Sequence, residues 1–468
     1  MHKPIGQNVL FDRPLIERYN RSGPRYTSYP TAPHLHEGFG PPEFRQAVAH
    51  SVGEAPERPL SLYLHLPFCD TVCYYCACNK VVTPDRSRGE RYLQSLLREV
   101  ALMGDLLGRQ RPVLQLHLGG GTPTYLDTAQ LERLLNALRH HFCLLEEDKG
   151  EYGIEVDPRE TATGSIQALR QLGFNRISLG VQDLDEAVQK AVNRIQPLSL
   201  SQRVVEEARQ AGFLSVNLDL IYGLPLQSEG SFQKTLETVV STLNPDRLAI
   251  FNYAHLPQYF MPQRRIKEEQ LPTPEEKLRI LERTIQFLTS SGYLYIGMDH
   301  FAKPDDELAV AQRRGLLHRN FQGYTTHGDC DLVGLGSSSI SQIGRIYAQN
   351  LKEVEPYYRR IDAGELAVFR GLELSQDDLI RREVIMRLIC DFQLDRLAVE
   401  ARFGVAFDLY FQAEQAGIRR MIEEGLLEEE GNLLRVSAAG RLLIRNICMV
   451  FDWYLSHAEQ KKVFSRTI

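Results

Sequence analysis

Four cysteines lie within ten residues, in the stretch CDTVCYYCAC that begins at Cys69 and ends at Cys78. Cys69, Cys73 and Cys76 have the spacing C-x-x-x-C-x-x-C, directly after the apolar segment LSLYLHLPF. Three thiolates in one loop can hold three irons of a cubane iron–sulfur cluster, and the fourth iron is then open to a small molecule. The spacing therefore predicts a redox centre that performs chemistry as well as electron transfer.

Two other interpretations of these cysteines stay open. Cys78 could complete an all-thiolate zinc site, although zinc sites usually combine two separated C-x-x-C pairs. Disulfides are less favoured, because eight cysteines in 468 residues is ordinary cytosolic usage and the start MHKPIGQNVLFDRPL has no apolar secretory region. We therefore expect a cytoplasmic protein.

Six apolar runs alternate with longer amphipathic stretches between residues 60 and 257. Each gap is long enough for a crossover helix, so the pattern predicts parallel strands in repeated βα units. We expect an α/β fold with a partial (β/α)6 barrel, whose active site is formed by the loops after the strands. The predicted strands are Leu60–Phe68, Val113–Leu118, Tyr152–Val156, Arg176–Val181, Ser215–Leu220 and Arg247–Phe251.

The length of the chain predicts more than one domain. We expect an N-terminal arm at residues 1–55, the barrel with an extension at 56–364, and a mostly helical, winged-helix-like cap at 365–468. Prolines and a glycine in residues 19–33 predict an extended arm packed on the surface. The segment Leu308–Gly344, rich in glycine, serine and threonine, predicts a long ordered loop region.

The charge of the chain argues against nucleic-acid binding. Its 54 basic and 60 acidic residues give a net charge of −6. Several glutamates between Glu423 and Glu430 also argue against DNA binding by the winged-helix-like cap. No run of about 18 apolar residues occurs, so we expect no membrane span.

Motifs that could bind a ligand or take part in chemistry follow the predicted strands. Gly119, Gly120 and Gly121 would let the backbone approach an anionic ligand, although a plain tight turn is an equal alternative. Glu155 and Asp157 share one face at the end of the third strand, and Asp157 could instead cap the next helix. The remaining strand ends would line the same rim with mostly polar groups, although any one of their residues could be an ordinary surface or packing residue. They contribute Gln182, Arg194, Asp219 and Ala254.

The cysteine spacing, with Tyr75 before the third cysteine and the glycine-rich GGGTPTYL, resembles the radical S-adenosylmethionine superfamily. Within this superfamily, the chain resembles the family of oxygen-independent coproporphyrinogen III oxidases. The resemblance rests on a series of motifs that occur in order from about Tyr19 to the C-terminus. These motifs are PRYTSYPTAP, YLHLPFC, CYYCACNK, GGGTPTYL, EVDPRE, GVQD, NLDLIYGLP, FNYAHLP, GMDHFA and HRNFQGYTTH. Ala77 departs from the glycine that is common there, which matters only if the position needs a positive φ.

The resemblance implies a set of cofactor sites. Cys69, Cys73 and Cys76 would ligate a [4Fe–4S] cluster, with Cys78 a nearby non-ligand. S-adenosylmethionine would bind the open iron and contact Tyr63, Gly120, Glu155 and Ile340. A second S-adenosylmethionine molecule would lie near Tyr75, Gly121, Thr122, Gln182, Arg194, Asp219 and Ala254.

The resemblance also implies the reaction, an oxygen-independent oxidative decarboxylation in haem biosynthesis. A 5′-deoxyadenosyl radical would start the conversion of two propionates of coproporphyrinogen III to the vinyl groups of protoporphyrinogen IX. We expect a monomeric oxidoreductase that takes electrons from flavodoxin or ferredoxin, with Arg25, Arg319 and Gln322–Thr326 as candidate substrate contacts. The alternative is a haem chaperone of the same branch, followed by a methyltransferase or mutase of the superfamily.

Overall fold

The computed structural model describes residues 9–457 of the chain, which form two compact units. The first, called the sheet unit, comprises Leu35–Thr284 and Asp329–Glu373. The second, called the helical unit, comprises residues 9–34, Ile285–Gly328 and residues 374–457. The domain boundaries expected at residues 55/56 and 364/365 stay predictions. Within residues 9–457, no helix has the length and apolar character needed to cross a membrane.

The strands are short except in the centre of the sheet unit. In chain order they are β1 (Leu60–Leu66), β2 (Phe68–Cys69), β3 (Val81–Val82), β4 (Pro112–Gly120), β5 (Cys143–Leu144), β6 (Glu151–Val156), β7 (Arg176–Gln182), β8 (Ser215–Tyr222), β9 (Arg247–Asn252), β10 (Leu294–Gly297), β11 (His300–Ala302), β12 (His318–Asn320), β13 (Gly323–Thr325), β14 (Asp331–Leu335), β15 (Ile340–Ile343), β16 (Ile346–Asn350), β17 (Val368–Glu373), β18 (Gln393–Asp395), β19 (Leu427–Glu430) and β20 (Leu433–Val436).

The α-helices lie between the strands of the sheet unit and dominate the C-terminal part of the chain. They are α1 (Arg13–Tyr19), α2 (Pro41–Glu54), α3 (Ser87–Leu107), α4 (Thr128–His141), α5 (Ser165–Gln171), α6 (Glu186–Ala191), α7 (Leu198–Ala211), α8 (Glu229–Thr238), α9 (Pro274–Ser290), α10 (Glu307–Arg313), α11 (Val354–Asp362), α12 (Gln376–Asp391), α13 (Arg396–Phe403), α14 (Phe407–Tyr410), α15 (Gln415–Glu423), α16 (Ile444–Cys448) and α17 (Trp453–Ser456).

Seven neighbouring strands of the sheet unit run parallel, in the order β9-β8-β7-β6-β4-β1-β14. The antiparallel strands β15, β16 and β17 continue the sheet beyond β14. The six strands expected from sequence are β1, β4 and β6 to β9, with boundaries within two residues. The prediction of repeated parallel βα units is therefore confirmed. Because parallel strands end at the same edge, the loops after these strands meet there.

Strand β1 lies in the centre of this sheet, between β4 and β14. Six of its seven residues are buried, as expected of a parallel strand that is covered on both faces. Helix α3 buries Tyr92, Leu96, Val100 and Met103, which recur at intervals of three or four residues along one helical face. The amphipathic stretch after the cysteines thus covers the sheet that positions them.

The segment before α2 differs from the expected surface arm. Tyr26 and Tyr29 are fully buried in the helical unit. The Tyr26 hydroxyl donates to Asp452 Oδ2 at 2.8 Å, and the backbone N–H of Trp453 donates to the Tyr29 hydroxyl at 3.0 Å. The expectation of a surface arm is therefore wrong, because these aromatic rings form part of a hydrophobic core.

The segment Leu308–Gly344 also differs from the expected loop region. It contains much of α10 and the strands β12 to β15. These strands are only three to five residues long, too short for a clear period of two. In β14, a Cβ atom at Gly334 would lie 2.8 Å from the backbone of Ile340. Glycine is needed here for close packing within the sheet, and its presence does not indicate a loop.

The C-terminal part of the helical unit contains the small hairpin expected from sequence. Strands β19 and β20 pair antiparallel, and β18 extends them into a three-stranded sheet. Helices α12 to α17 accompany this sheet. The prediction of a mostly helical C-terminal region is confirmed.

We predict that Asp331→Asn destabilises the sheet unit by about 3–5 kcal/mol, because it leaves a buried guanidinium without its counter-charge. Asp331 begins β14 and accepts hydrogen bonds from Arg111, from Arg58 at 3.3 Å and from Gly344 N at 2.9 Å. The Arg111 and Asp331 side chains are only 2% and 4% exposed. Urea unfolding followed by circular dichroism measures the change.

The matched control for Asp331→Asn is Glu186→Gln, which breaks an ion pair with Lys190 on the exposed surface of α6. This pair should contribute less than about 1 kcal/mol. Equal losses of unfolding free energy in the two variants contradict a structural role for the buried pair.

Candidate active site

The cysteine loop leaves the end of β1 and returns beside it. Strands β2 and β3 pair in parallel, with Val81 N donating to Pro67 O at 2.7 Å and Thr83 N donating to Cys69 O at 3.0 Å. Both ends of the loop are thereby held next to each other. Further along the loop, Tyr74 N donates to a backbone carbonyl after α6 at 2.9 Å. The sequence between the cysteines is irregular, but its position on the sheet is defined by these hydrogen bonds.

A cavity of about 180 Å³ opens beside this loop, at the carboxyl ends of the parallel strands of the sheet unit. Most residues predicted for the site line it together. They are Cys69, Cys73, Cys76, Tyr75, Gly120, Gly121, Thr122, Glu155, Gln182, Arg194 and Asp219. Cys78 also lies on the cavity wall, although its side chain is exposed.

Donors surround two of the three predicted ligand sulfurs. Thr122 Oγ1 donates to Cys69 Sγ at 3.6 Å. Arg159 Nη2 and Arg194 Nη1 each donate to Cys73 Sγ, also at 3.6 Å. Burial raises the pKa of the Cys69 thiol to about 12, and the hydrogen bond from Thr122 opposes this rise. The two arginines thus place positive charge where a thiolate-bound cluster would be negative.

Asp157 holds these two arginines in place. Its Oδ2 accepts from Arg159 Nη2 at 2.6 Å and from Arg194 Nη1 at 2.9 Å, and its Oδ1 accepts from Arg159 N at 3.0 Å. Burial would raise the pKa of Asp157, but Arg194 and Arg159 lower it below its ordinary value. Asp157 therefore has two roles. It caps the short helix that follows, which was the alternative expected from the sequence, and it is a buried counter-ion of the two arginines.

Two further carboxylates form another part of the cavity wall. Glu155 accepts from His117 Nε2 at 3.2 Å and from Gly120 N at 3.2 Å, and these donors lower its pKa although burial opposes them. Burial and the charge of Glu155 raise the pKa of Asp219 to about 7. Asn217 Nδ2 donates to Asp219 Oδ1 at 2.8 Å. This part of the cavity suits a ligand that carries positive charge or hydrogen-bond donors.

The glycine-rich turn after β4 packs tightly against the cysteine loop. A Cβ atom at Gly121 would lie 2.6 Å from Phe68 O and 2.7 Å from the carbonyl carbon of Pro67. Gly120 has a φ of 115°, a conformation that favours glycine, and a Cβ there would lie 2.6 Å from the His65 ring. The backbone of this turn is thus exposed to the cavity, and a side chain at either glycine would displace its neighbours.

The far side of the cavity contains buried polar atoms that lack a hydrogen-bond partner. These are Gln182 Oε1 and Arg194 Nε. Gln182 also has a φ of 68°, at a register shift between β7 and β8. Strained backbone of this kind occurs at ligand sites, and a buried unpaired polar atom is costly unless a ligand satisfies it. The donor set, the glycine turn and these atoms fit a polar cofactor next to the cysteines.

A zinc site needs its ligands around one point. Throughout residues 9–457, no three His, Cys, Asp or Glu side chains are arranged to hold a single metal ion. A cubane cluster needs a wider arrangement, because each thiolate binds a different iron.

Three predicted residues do not line the cavity. The Tyr63 hydroxyl lies 3.1 Å from His65 Nδ1. Tyr63 is also the β-sheet partner of Gly334 in β14, and the Ile340 backbone packs against Gly334. Because His65 Nε2 donates to a carbonyl at 2.9 Å, His65 Nδ1 accepts from Tyr63. Ala254 is linked to Tyr75, since Gln263 Nε2 donates to both backbone carbonyls, at 3.3 and 3.0 Å. Ala254 is exposed, whereas Tyr63 and Ile340 are half-buried.

Sequence reasoning missed several residues of the wall. Ser178 and Gly180 line the cavity with Gln182, and all three follow the period of two along β7. This alternation was a usable signal. Arg159 and Lys80 had no such signal, because ordinary surface arginines and lysines occur in similar stretches. Ala77 is not among the residues with a positive φ, so its difference from glycine causes no backbone strain.

Comparison with known families agrees with this geometry. Residues 63–239 match the Radical SAM superfamily, and residues 374–443 match the HemN C-terminal domain. An oxygen-independent coproporphyrinogen III oxidase of Pseudomonas aeruginosa is 52% identical over 460 residues, covering 98% of this chain and 99% of that protein. The Escherichia coli enzyme of the same name is also 52% identical, covering 99% of both chains.

A solved structure shows the same fold. Coproporphyrinogen III oxidase (HemN) from Escherichia coli, described as a radical SAM enzyme, superposes with a TM-score of 0.91 at 51% identity. The match covers 96% of this chain and all of that one. With the cavity and cysteine loop described above, these similarities show that the chain belongs to the oxygen-independent coproporphyrinogen III oxidases of the radical S-adenosylmethionine superfamily.

Proposed function

We propose that this chain converts coproporphyrinogen III to protoporphyrinogen IX without oxygen. The observation that carries this proposal is the convergence of Cys69, Cys73 and Cys76 on one cavity with charged and polar side chains in its wall, in a chain that matches such oxidases over almost its whole length. The cofactors are a [4Fe–4S] cluster and S-adenosylmethionine, as in its superfamily. When bound, they supply a 5′-deoxyadenosyl radical that removes a hydrogen atom from the substrate.

The residues of the chain have separate tasks in this proposal. Cys69, Cys73 and Cys76 hold the cluster, and Arg159 and Arg194 offset its negative charge at Cys73. Cys78 is not a ligand. Contacts to the S-adenosylmethionine on the iron are assigned to Tyr63, Gly120, Glu155 and Ile340.

A second S-adenosylmethionine is assigned to the other part of the cavity. Its partners are Tyr75, Gly121, Thr122, Gln182, Arg194, Asp219 and Ala254. Gln182 Oε1 and Arg194 Nε support this assignment, because they are a buried acceptor and a buried donor that need a ligand. Asp219 supports it further, because its carboxyl lies on the same cavity wall and can hydrogen-bond to a ligand.

Each propionate loses a hydrogen atom, an electron and carbon dioxide when it becomes a vinyl group. The hydrogen atom goes to the deoxyadenosyl group, which leaves as 5′-deoxyadenosine, and the electron goes to an external acceptor. Two such conversions consume two S-adenosylmethionine molecules. The chain itself must orient one propionate at a time and exclude water from the cavity.

The partners of the reaction are also part of the proposal. We infer flavodoxin or ferredoxin as the electron donor, because cluster reduction needs a low-potential donor. We expect a monomer in the cytoplasm, where the eight free cysteines of the chain would stay reduced.

The test is anaerobic incubation of reconstituted protein with dithionite, S-adenosylmethionine, coproporphyrinogen III and an electron acceptor. Chromatography should detect protoporphyrinogen IX together with 5′-deoxyadenosine. Deoxyadenosine without a vinyl product contradicts the proposed substrate. The absence of both, together with haem binding, favours the chaperone, which the full-length similarity to oxidases already disfavours.

A further inference from the structure

Four arginines and one aspartate of the helical unit lie close enough together for their charges to act on shared neighbours. They come from three separate segments, and we call this set the arginine cluster; its members are Arg25, Arg319, Arg441, Arg445 and Asp299. Arg25 Nη1 lies 3.6 Å from Asp299 Oδ2. The pKa of Arg445 is affected by the charges of Arg25, Asp299 and Arg319. The pKa of the buried Tyr295 is affected by those of Asp299, Arg441 and Arg319. The cluster is therefore one connected electrostatic site.

The backbone around the arginine cluster holds its members in place. Arg445 extends from α16 and donates to the carbonyls of Gly23 and Pro24, the latter at 2.8 Å, which positions Arg25 next to it. Asp299 lies at the tip of the β10–β11 hairpin. Asp299 and Met298 have φ angles of 74° and 43°, a conformation that non-glycine residues rarely adopt.

Positive charge is in excess here. Burial, followed by repulsion from Arg25, lowers the pKa of Arg445 to about 10, and attraction by Asp299 does not compensate. Arg381 in the same unit is a contrast, since it is also buried but contacts the carboxylates of Asp377 and Glu414 at 2.8 and 2.7 Å. The arginine cluster thus has the electrostatics of an anion site, whereas Arg381 belongs to a neutralised ion-pair network.

Arg319 supplies the second, independent observation. Its Nε and Nη1 atoms are buried and have no hydrogen-bond partner, and the same is true of Gln322 Nε2 in the adjoining turn. The guanidinium lies 4.7 Å from the centre of the Tyr324 ring, which faces His300 at 5.4 Å. Buried donors of a charged group are costly to leave unpaired, unless a ligand supplies acceptors. Donors beside aromatic rings suit a carboxylate attached to a flat, apolar ring.

We propose that the arginine cluster, with Arg319 and Gln322 as its unsatisfied donors, binds propionate carboxylates of the tetrapyrrole. This inference rests on the proposed function, because that substrate carries four propionates on a ring of pyrroles. Arg319 and Arg25 are then residues that recognise and position the substrate. They take no part in binding the cluster or S-adenosylmethionine.

The test compares wild type with Arg319→Gln and Arg25→Gln by fluorescence titration with coproporphyrin III, the stable oxidised form of the substrate. Each variant should bind it about tenfold or more weakly, the loss expected for one charge-assisted hydrogen bond. Coproporphyrin III tetramethyl ester, which lacks the carboxylates, should bind wild type and variants alike. The KM for coproporphyrinogen III should rise similarly, whereas iron content and substrate-free cleavage of S-adenosylmethionine stay unchanged.

Arg402→Gln is the matched control, because Arg402 lies in the same unit but is 61% exposed and pairs only across the surface with Glu383. Arg25 is partly exposed, so its variant should fold even if Arg319→Gln does not. Wild-type affinity of an active Arg25→Gln variant, or equal binding of acid and ester by wild type, overturns this inference alone. A wild type that forms no vinyl product overturns the proposed function itself.

Discussion

Replacement of Cys76 by serine is expected to remove the iron–sulfur cluster and to abolish the formation of protoporphyrinogen IX. Cys76 lines the cavity with Cys69 and Cys73, and Lys80 Nζ donates to its carbonyl at 3.0 Å. A serine hydroxyl stays protonated near neutral pH, so it does not replace a thiolate ligand. Iron and sulfide content after anaerobic reconstitution should fall to background, and product formation should fall with it.

Cys78→Ser should leave the cluster assembled, which separates the roles of two neighbouring cysteines. Cys78 is exposed, and its thiol donates a hydrogen bond to the Cys76 sulfur. A serine hydroxyl can donate as well. Cys143→Ser, at an exposed cysteine outside the cavity wall, is the control and should keep full iron content. Equal loss of iron in Cys76→Ser and Cys78→Ser contradicts the assignment of three ligands.

The second large effect is expected for Gly121→Ala, which should lower kcat/KM by about 100-fold or more. The added Cβ would lie 2.6 Å from Phe68 O and 2.7 Å from Pro67 C. These are backbone atoms of the segment that leads directly to Cys69, so the cysteine loop or the glycine turn must move. A displacement of about 1 Å in a reacting geometry can cost roughly this factor. Steady-state formation of 5′-deoxyadenosine and product measures it.

The control for Gly121→Ala is Gly53→Ala near the end of α2, where an added Cβ meets nothing within 4 Å. Alanine has a higher helix propensity than glycine, so this variant should be as stable as wild type and fully active. Gly121 does not have a positive φ, so alanine causes no backbone strain there. The steric clash of the added Cβ is then the cause of any loss of activity. Wild-type kinetics in Gly121→Ala show that the turn does not position the cysteine loop.

The sheet of the sheet unit was largely predictable because its signals are local. Apolar runs such as Leu60–Leu66 and Arg247–Asn252 are long enough to show a buried strand, and the gaps between them require crossovers. The segment Leu308–Gly344 was mispredicted because glycine serves two purposes, loops and close packing. Only the neighbouring strand decides between them, as at Gly334 against Ile340.

The N-terminal segment was mispredicted for a related reason. Prolines and glycine in residues 19–33 correctly exclude a long regular element there, but irregular backbone can still be buried. Tyr26 and Tyr29 are buried because they bond with Asp452 and Trp453, more than 400 residues away along the chain. A local pattern contains no information on such partners.

The sequence by itself determined the chemistry of this protein, because the spacing of Cys69, Cys73 and Cys76 and the glycine turn after β4 are local patterns. Only the tertiary structure decided which charged side chains contact the cysteines. Asp157 meets Arg194 across 37 positions, and both arginines at Cys73 come from other strands' loops. The physical reason is that charge pairing and burial depend on distance in space, and that distance is set by the packing of the whole sheet.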